Sequence, residues 1–186
     1  MPVSADVALA ISLHQLMQAG VYPVALRHFL GCGCLVTLYD SLAGADVAVL
    51  ASQRYAGALA LPLRFAAGNA REFGARSVGL IAPYLGYMRQ DTRFHRGEAV
   101  STPLFAQFLE EAFDWLVTVD PHLHRVERLQ SLYRIPTVHV SATPAVARWI
   151  AETVPDAVLI GPDSESEQWV ADIAALSSMP YQVLAK

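Results

Sequence analysis

Charge is scarce in this chain, and cysteine is nearly absent. Only 16% of its 186 residues are charged, 13 basic against 17 acidic, for a formal net charge of −4. A protein that coats nucleic acid needs a clustered excess of Lys and Arg, so that class is excluded as its main business. Phosphate ligands stay open, because backbone N–H groups, a metal and a few arginines can hold them. The two cysteines, Cys32 and Cys34, sit in Gly31-Cys-Gly-Cys34. With no second pair to complete a tetrahedral set, they read as reduced thiols in a turn rather than a zinc site. No apolar run of about eighteen residues is free of charges or breakers, so no membrane span is expected. The stretch Met1 to Asp6 lacks the basic start and long apolar run of a secretory leader, and a cytoplasmic location is expected. Tandem repeats of solenoid period and low-complexity tracts are missing as well.

What is present is apolar. The hydrophobic content is 54%, ample for a core and against disorder. Leu9, Leu13, Leu16 and Met17 recur at helical spacing ahead of Gly20. Short strands are expected at Leu35–Tyr39 and Val47–Ala51, parted by the turn around Gly44. A helix over Leu59–Phe73 follows, with Pro62 in its first turn and Gly74 as its stop. Val78–Ala82 reads as a buried strand, and Thr102-Pro103 opens a helix to about Phe113. Trp115–Val119 is a strand, a weak helical turn lies near Val126–Tyr133, and Thr137–Val140 is a strand. Thr143-Pro144 starts a further helix and Ala157–Ile160 a strand. Ser164-x-x-Glu167 fits a capping box, and Tyr181–Ala185 is a last strand. Strands alternating with helices, several of them unbroken apolar runs, predict an α/β fold with a doubly wound, mostly parallel sheet.

Three of these strands end in polar clusters. Val78–Ala82 leads to Arg89-Gln-Asp91, Trp115–Val119 to Asp120-Pro-His-Leu-His-Arg125, and Ala157–Ile160 to Gly161-Pro-Asp-Ser-Glu-Ser166. Ligands of open parallel sheets bind beyond the carboxyl ends of the strands, so the three clusters are expected on a common rim. Each alone has a plainer reading. Arg89 and Asp91 suit a solvated loop. His122 and His124 face one way in extended chain and could share a metal, but a hydrogen-bonding role is equally open. Gly161-Pro-Asp163 suits a turn, or a helix start that aims free N–H groups at an anion.

Taken in order, Ala82-Pro-Tyr-Leu-Gly-Tyr-Met-Arg-Gln-Asp91, Asp120-Pro-His122, Gly161-Pro-Asp163 and Lys186 resemble the ribose-phosphate diphosphokinases, the PRPP synthetases. The resemblance runs from about Ala45 onward and is weaker before it. It implies two phosphoribosyltransferase-like domains, here 1–141 and the beginning of a second in 142–186, with ATP and ribose 5-phosphate held between them. It implies that Arg89, Gln90 and Asp91 serve the nucleotide. His122 would approach both metal and phosphates, Asp163 would stand near Mg2+, and Lys186 would be the lysine of a mobile catalytic loop. The implied reaction is an in-line attack by the ribose O1 on the β-phosphorus of ATP, with AMP leaving. The implied assembly is a homo-oligomer.

The pattern departs from the family in two places. The family's Phe-Pro-Asp-Gly-Glu type loop, which holds adenine from a neighbouring subunit, corresponds to Phe29-Leu-Gly-Cys-Gly33. That stretch keeps the aromatic ring of Phe29 and lacks both carboxylates. The acidic loop for the ribose phosphate and the catalytic-loop arginine lie past Lys186, so an incomplete second domain is expected. Two functions therefore stand side by side: a synthetase, or a non-catalytic nucleotide-binding or regulatory paralogue. A metal-dependent hydrolase built on Asp120, His122, His124 and Asp163 is a third.

Overall fold

Parallel pairing dominates the structure, as the unbroken apolar strands require. The computed structural model describes residues 7–22, 24–30, 33–39, 41–123, 125–126 and 128–185. The chain divides into two compact units, Met1–Val140 and Ser141–Lys186.

In the first unit, helix α1 (Val7–Met17) precedes an antiparallel hairpin of β1 (Val24–His28) and β2 (Cys34–Leu38). Four parallel strands follow in chain order: β3 (Asp46–Leu50), β4 (Ser77–Ala82), β5 (Trp115–Val119) and β6 (Thr137–Val140). Helix α2 (Ala56–Glu72) connects β3 to β4, and α3 (Ser101–Glu110) connects β4 to β5. The link from β5 to β6 includes the 3-10 turn Leu129–Ser131. Val78, Leu80, Leu109, Phe113, Leu116 and Leu129 are all fully buried around the two middle strands. Full burial of each such side chain stabilises by about 1.5–3 kcal/mol, so β4 and β5 are the firmest part of the unit. A Cβ on Gly79 would stand 1.9 Å from Trp115 Cε2, so glycine is needed there for strand and indole to approach.

The second unit holds α4 (Thr143–Thr153), the parallel pair β7 (Leu159–Gly161) and β8 (Tyr181–Val183), and α5 (Glu167–Ser177) between them. Its buried side chains are small, chiefly Ala147, Ala174 and Ser177.

Several expected features shift. Helix α2 begins at Ala56, so Pro62 lies inside it rather than in its first turn. The Ala- and Leu-rich run ahead of the proline is strong helix former and carries the helix upstream. The capping box exists one residue earlier than expected. Asp163 is the cap, its Oδ1 accepting from Ser166 N at 3.2 Å, and it opens a 3-10 turn at Ser164–Ser166 before α5. Strand β1 was not foreseen, and β7 starts at Leu159 rather than Ala157. The left-handed residue after α1 is Gln18, at φ 52°, ahead of Gly20.

Candidate functional site

Register fixes where the strand-end loops lie. Ala82 pairs with Thr118, and Thr118 pairs with His139, so β4, β5 and β6 end in one row. The loops after them leave from a single edge of the sheet. Each of the first two loops holds a residue in the left-handed region, Tyr87 at φ 61° within the β4 loop and Asp120 at φ 37° directly after β5. Non-glycine residues hold such angles only where surrounding bonds over-determine them.

Those bonds are present around the β4 loop. Gln53, buried just past β3, donates its backbone N–H to Tyr84 O at 2.8 Å and accepts from Gly86 N on Oε1 at 3.0 Å. Thr102, near the start of α3, donates Oγ1–H to Tyr87 O at 2.7 Å and its N–H to Gln90 O at 3.2 Å. The Tyr87 ring packs against Phe105 with centroids 4.7 Å apart. Arg89 and Gln90 are thus exposed side chains on a braced backbone. That combination suits presentation to a ligand, since little ordering remains to be done on binding.

Asp91 behaves differently. Its side chain is only 3% exposed, and Oδ1 accepts from Arg125 Nη1 at 3.0 Å. This ion pair joins the β4 loop to the β5 loop, which carries Asp120 and the half-buried His122. On the far side, Asp120 N–H donates to Val140 O at 3.1 Å, and Asp120 Oδ1 lies 3.4 Å from His139 Nε2. Two of the three expected clusters therefore meet, with arginine chemistry and a histidine on one rim.

Phe29 sits exposed in the β1–β2 turn, its N–H donating to Gly33 O at 2.8 Å. Asp163 belongs to the second unit, where its carboxylate caps a helical turn. Lys186, His124 and Cys32 lie outside the described residues. Arg125, His139 and Gln53 were not singled out as site residues beforehand, and Thr102 was read only as the opening of a helix that in fact starts at Ser101. Arg125 stood in the quoted β5 cluster, and its place just past a strand end was the available signal.

Among the described residues, no three His, Cys, Asp or Glu gather as a metal cage. Single carboxylates such as Asp120 and Asp163 suit instead a hard cation that keeps several waters and takes phosphate oxygens for the rest. No described helix is long and apolar enough to cross a membrane.

Residues 2–112 match the family model described as the N-terminal domain of ribose phosphate pyrophosphokinase. A ribose-phosphate pyrophosphokinase of Methanobrevibacter smithii is 34% identical over 68% of this chain and 42% of its own length. One from Methanothermobacter thermautotrophicus is 35% identical over 86% of this chain and 55% of its own. The crystal structure of phosphoribosylpyrophosphate synthetase from Mycobacterium smegmatis superposes with a TM-score of 0.81 at 24% identity, covering 96% of this chain and 61% of that one. The chain spans about half the length of the relatives it matches.

Proposed function

The chain belongs to the ribose phosphate pyrophosphokinase family, and on that premise we propose that it serves Mg2+-dependent transfer of diphosphate from ATP to ribose 5-phosphate. The observation that carries the reading is the braced rim on which Arg89 and Gln90 stand exposed and the Asp91–Arg125 pair brings in the loop of His122. A guanidinium can fork onto two phosphate oxygens, and a fixed backbone keeps that fork in place. In this reading Arg89 and Gln90 hold the nucleotide phosphates, with Asp91 beside them.

The ribose O1 attacks the β-phosphorus, the bond from that phosphorus to the α,β-bridging oxygen breaks, and AMP leaves. Such a displacement needs alignment and charge neutralisation more than covalent help. Bound Mg2+ would supply part of that neutralisation, with His122 and Asp163 as the residues offered to it. Lys186 is assigned the cation that reaches the developing charge, a kind of contact worth on the order of 10² to 10³ in rate. The unit Met1–Val140 is assigned to the N-terminal phosphoribosyltransferase-like domain, and Ser141–Lys186 to part of the next. Exposed apolar side chains on α1 (Ile11, Leu16, Met17) support a homo-oligomer.

One observation favours the second reading, a nucleotide-binding paralogue without turnover. The turn at Phe29–Gly33 carries no carboxylate to read adenine. The test is AMP release from ATP with ribose 5-phosphate and Mg2+. Turnover that disappears in His122→Ala supports the enzyme. Mg-ATP binding with no AMP released supports the paralogue, and no binding at all rejects both.

A further inference from the structure

We propose that Arg125 is a positioning residue: by clasping the buried carboxylate of Asp91 it sets the spacing between the Arg89–Gln90 loop and the His122 loop. The inference rests on the nucleotide reading above and deepens it.

The hydrogen bonds that hold the two loops run in opposite directions. The β4 loop is bound toward β3 through Gln53 and toward α3 through Thr102. The β5 loop is bound toward β6, through Asp120 N–H to Val140 O and Asp120 to His139. Across the gap between them stands the 3.0 Å bond from Arg125 to Asp91. The pair is lopsided in burial, 3% exposure for the carboxylate against 50% for the guanidinium. Asp91 is thus the fixed anchor and Arg125 the arm that reaches in. Asp91 Oδ2 is buried and has no hydrogen-bond partner among the described residues. It can take a second N–H of the same guanidinium, turning a single bond into a fork when the loops draw together.

The charge of Asp91 argues against its touching phosphate itself. A buried carboxylate facing a triphosphate repels it, whereas one already committed to an arginine shapes the loop without opposing the ligand. A ligand long enough to engage both loops depends on their spacing, and a shorter one engaging a single loop does not.

The experiment uses the whole chain as wild type, Arg125→Ala, Arg125→Lys and Asp91→Asn. Affinities for Mg-ATP and for AMP are measured beside hydrogen–deuterium exchange of peptides over 84–92 and 119–126. The Ala variant is expected to weaken Mg-ATP by about tenfold and AMP by less than about threefold, the scale of one charge-assisted hydrogen bond. Arg125→Lys should recover part of the loss. Exchange should quicken in both peptides for Arg125→Ala and for Asp91→Asn, with β4 and β5 unchanged. Equal weakening of the two ligands, or quickening confined to the mutated loop, overturns the proposal. A wild-type chain that binds neither nucleotide removes the nucleotide reading. The exchange arm then decides the clasp alone, coupled quickening upholding it and uncoupled behaviour overturning it. Should the Ala variant not fold, the Lys and Asn variants carry both arms.

Discussion

Single side chains decide how the rim is built, and Gly86 shows how little room it has. A Cβ there would stand 2.4 Å from Ala56 Cβ, with Gln53 O at 3.3 Å. Both obstacles are backbone or a short side chain on it, so the β4 loop must move if any side chain is added. Gly86→Ala is expected to cost about 1–3 kcal/mol by overpacking, read as a lower urea midpoint. Because the strain falls on the loop that presents Arg89, Mg-ATP affinity should drop as well. Arg89→Lys separates shape from charge at the same place. If the guanidinium forks onto phosphate, Lys keeps the charge and loses one of two bonds, so affinity should fall about tenfold and not return to wild type at low salt. The placing of Arg89, Gln90 and His122 on one rim was legible, because strand ends in a parallel sheet are where ligand-type residues collect. Arg125, His139 and Thr102 were not, because their role lies in a partner on another element, and no spacing along the chain records that. The Asp91–Arg125 pair spans 34 positions of sequence.

At the scale of elements, the joint between α2 and β5 has a pH dependence with a definite sign. Arg71 forks onto Asp114, Nη1 to Oδ2 at 2.9 Å and Nη2 to Oδ1 at 3.0 Å. Val78 N–H adds a bond to Oδ2 at 2.7 Å. The Arg71 guanidinium beside it, aided by that N–H, holds the Asp114 carboxyl below its ordinary value against the opposing pull of burial. Arg76 and then Ser77 bring Asp46, at the start of β3, down to about 2. A carboxyl depressed in the folded state contributes stability above its unfolded pKa and loses it as pH falls through the folded one. The chain should therefore hold its urea midpoint from neutrality to about pH 4 and lose stability between about pH 4 and pH 2. In Asp114→Asn the neutral-pH midpoint should be lower and the acid decline shallower. An unchanged acid limb in that variant would show that the joint contributes nothing. Legibility at this scale followed side-chain period and burial. Trp115–Val119 and Thr137–Val140 emerged with their observed limits, because each is a short apolar or β-branched run between breakers. Strand β1 escaped notice because Arg27 and His28 close it and both are exposed, as an outer hairpin strand permits. The start of α2 was misplaced because Pro62 was read as a helix opener. Its neighbours Ala56 to Leu61 favour helix strongly enough to place the proline within it.

Across the whole molecule, apolar burial is distributed unevenly, and this sets how the chain should unfold. The large hydrophobic cluster runs from Leu42 to Tyr133 and includes Leu80, Leu109, Phe113, Leu116 and Leu129, all in the unit Met1–Val140. Within Ser141–Lys186 the buried side chains are small, while Trp149, Ile160 and Leu176 are exposed. Side chains the size of alanine contribute little transfer free energy. A short span with so little buried area stands near the limit below which chains do not fold alone. A fragment ending at Val140 is expected to unfold in urea as one cooperative transition, with near-ultraviolet dichroism and amide exchange both reporting it. A fragment of Ser141–Lys186 alone should show no such transition and no slow amides. In the intact chain the slowest-exchanging amides should then lie in β4, β5 and α3, with those of α4, α5 and the β7–β8 pair gone first. Slow exchange of comparable lifetime in α5 would mean that the second unit draws stability from more than its own side chains, and would overturn the ranking.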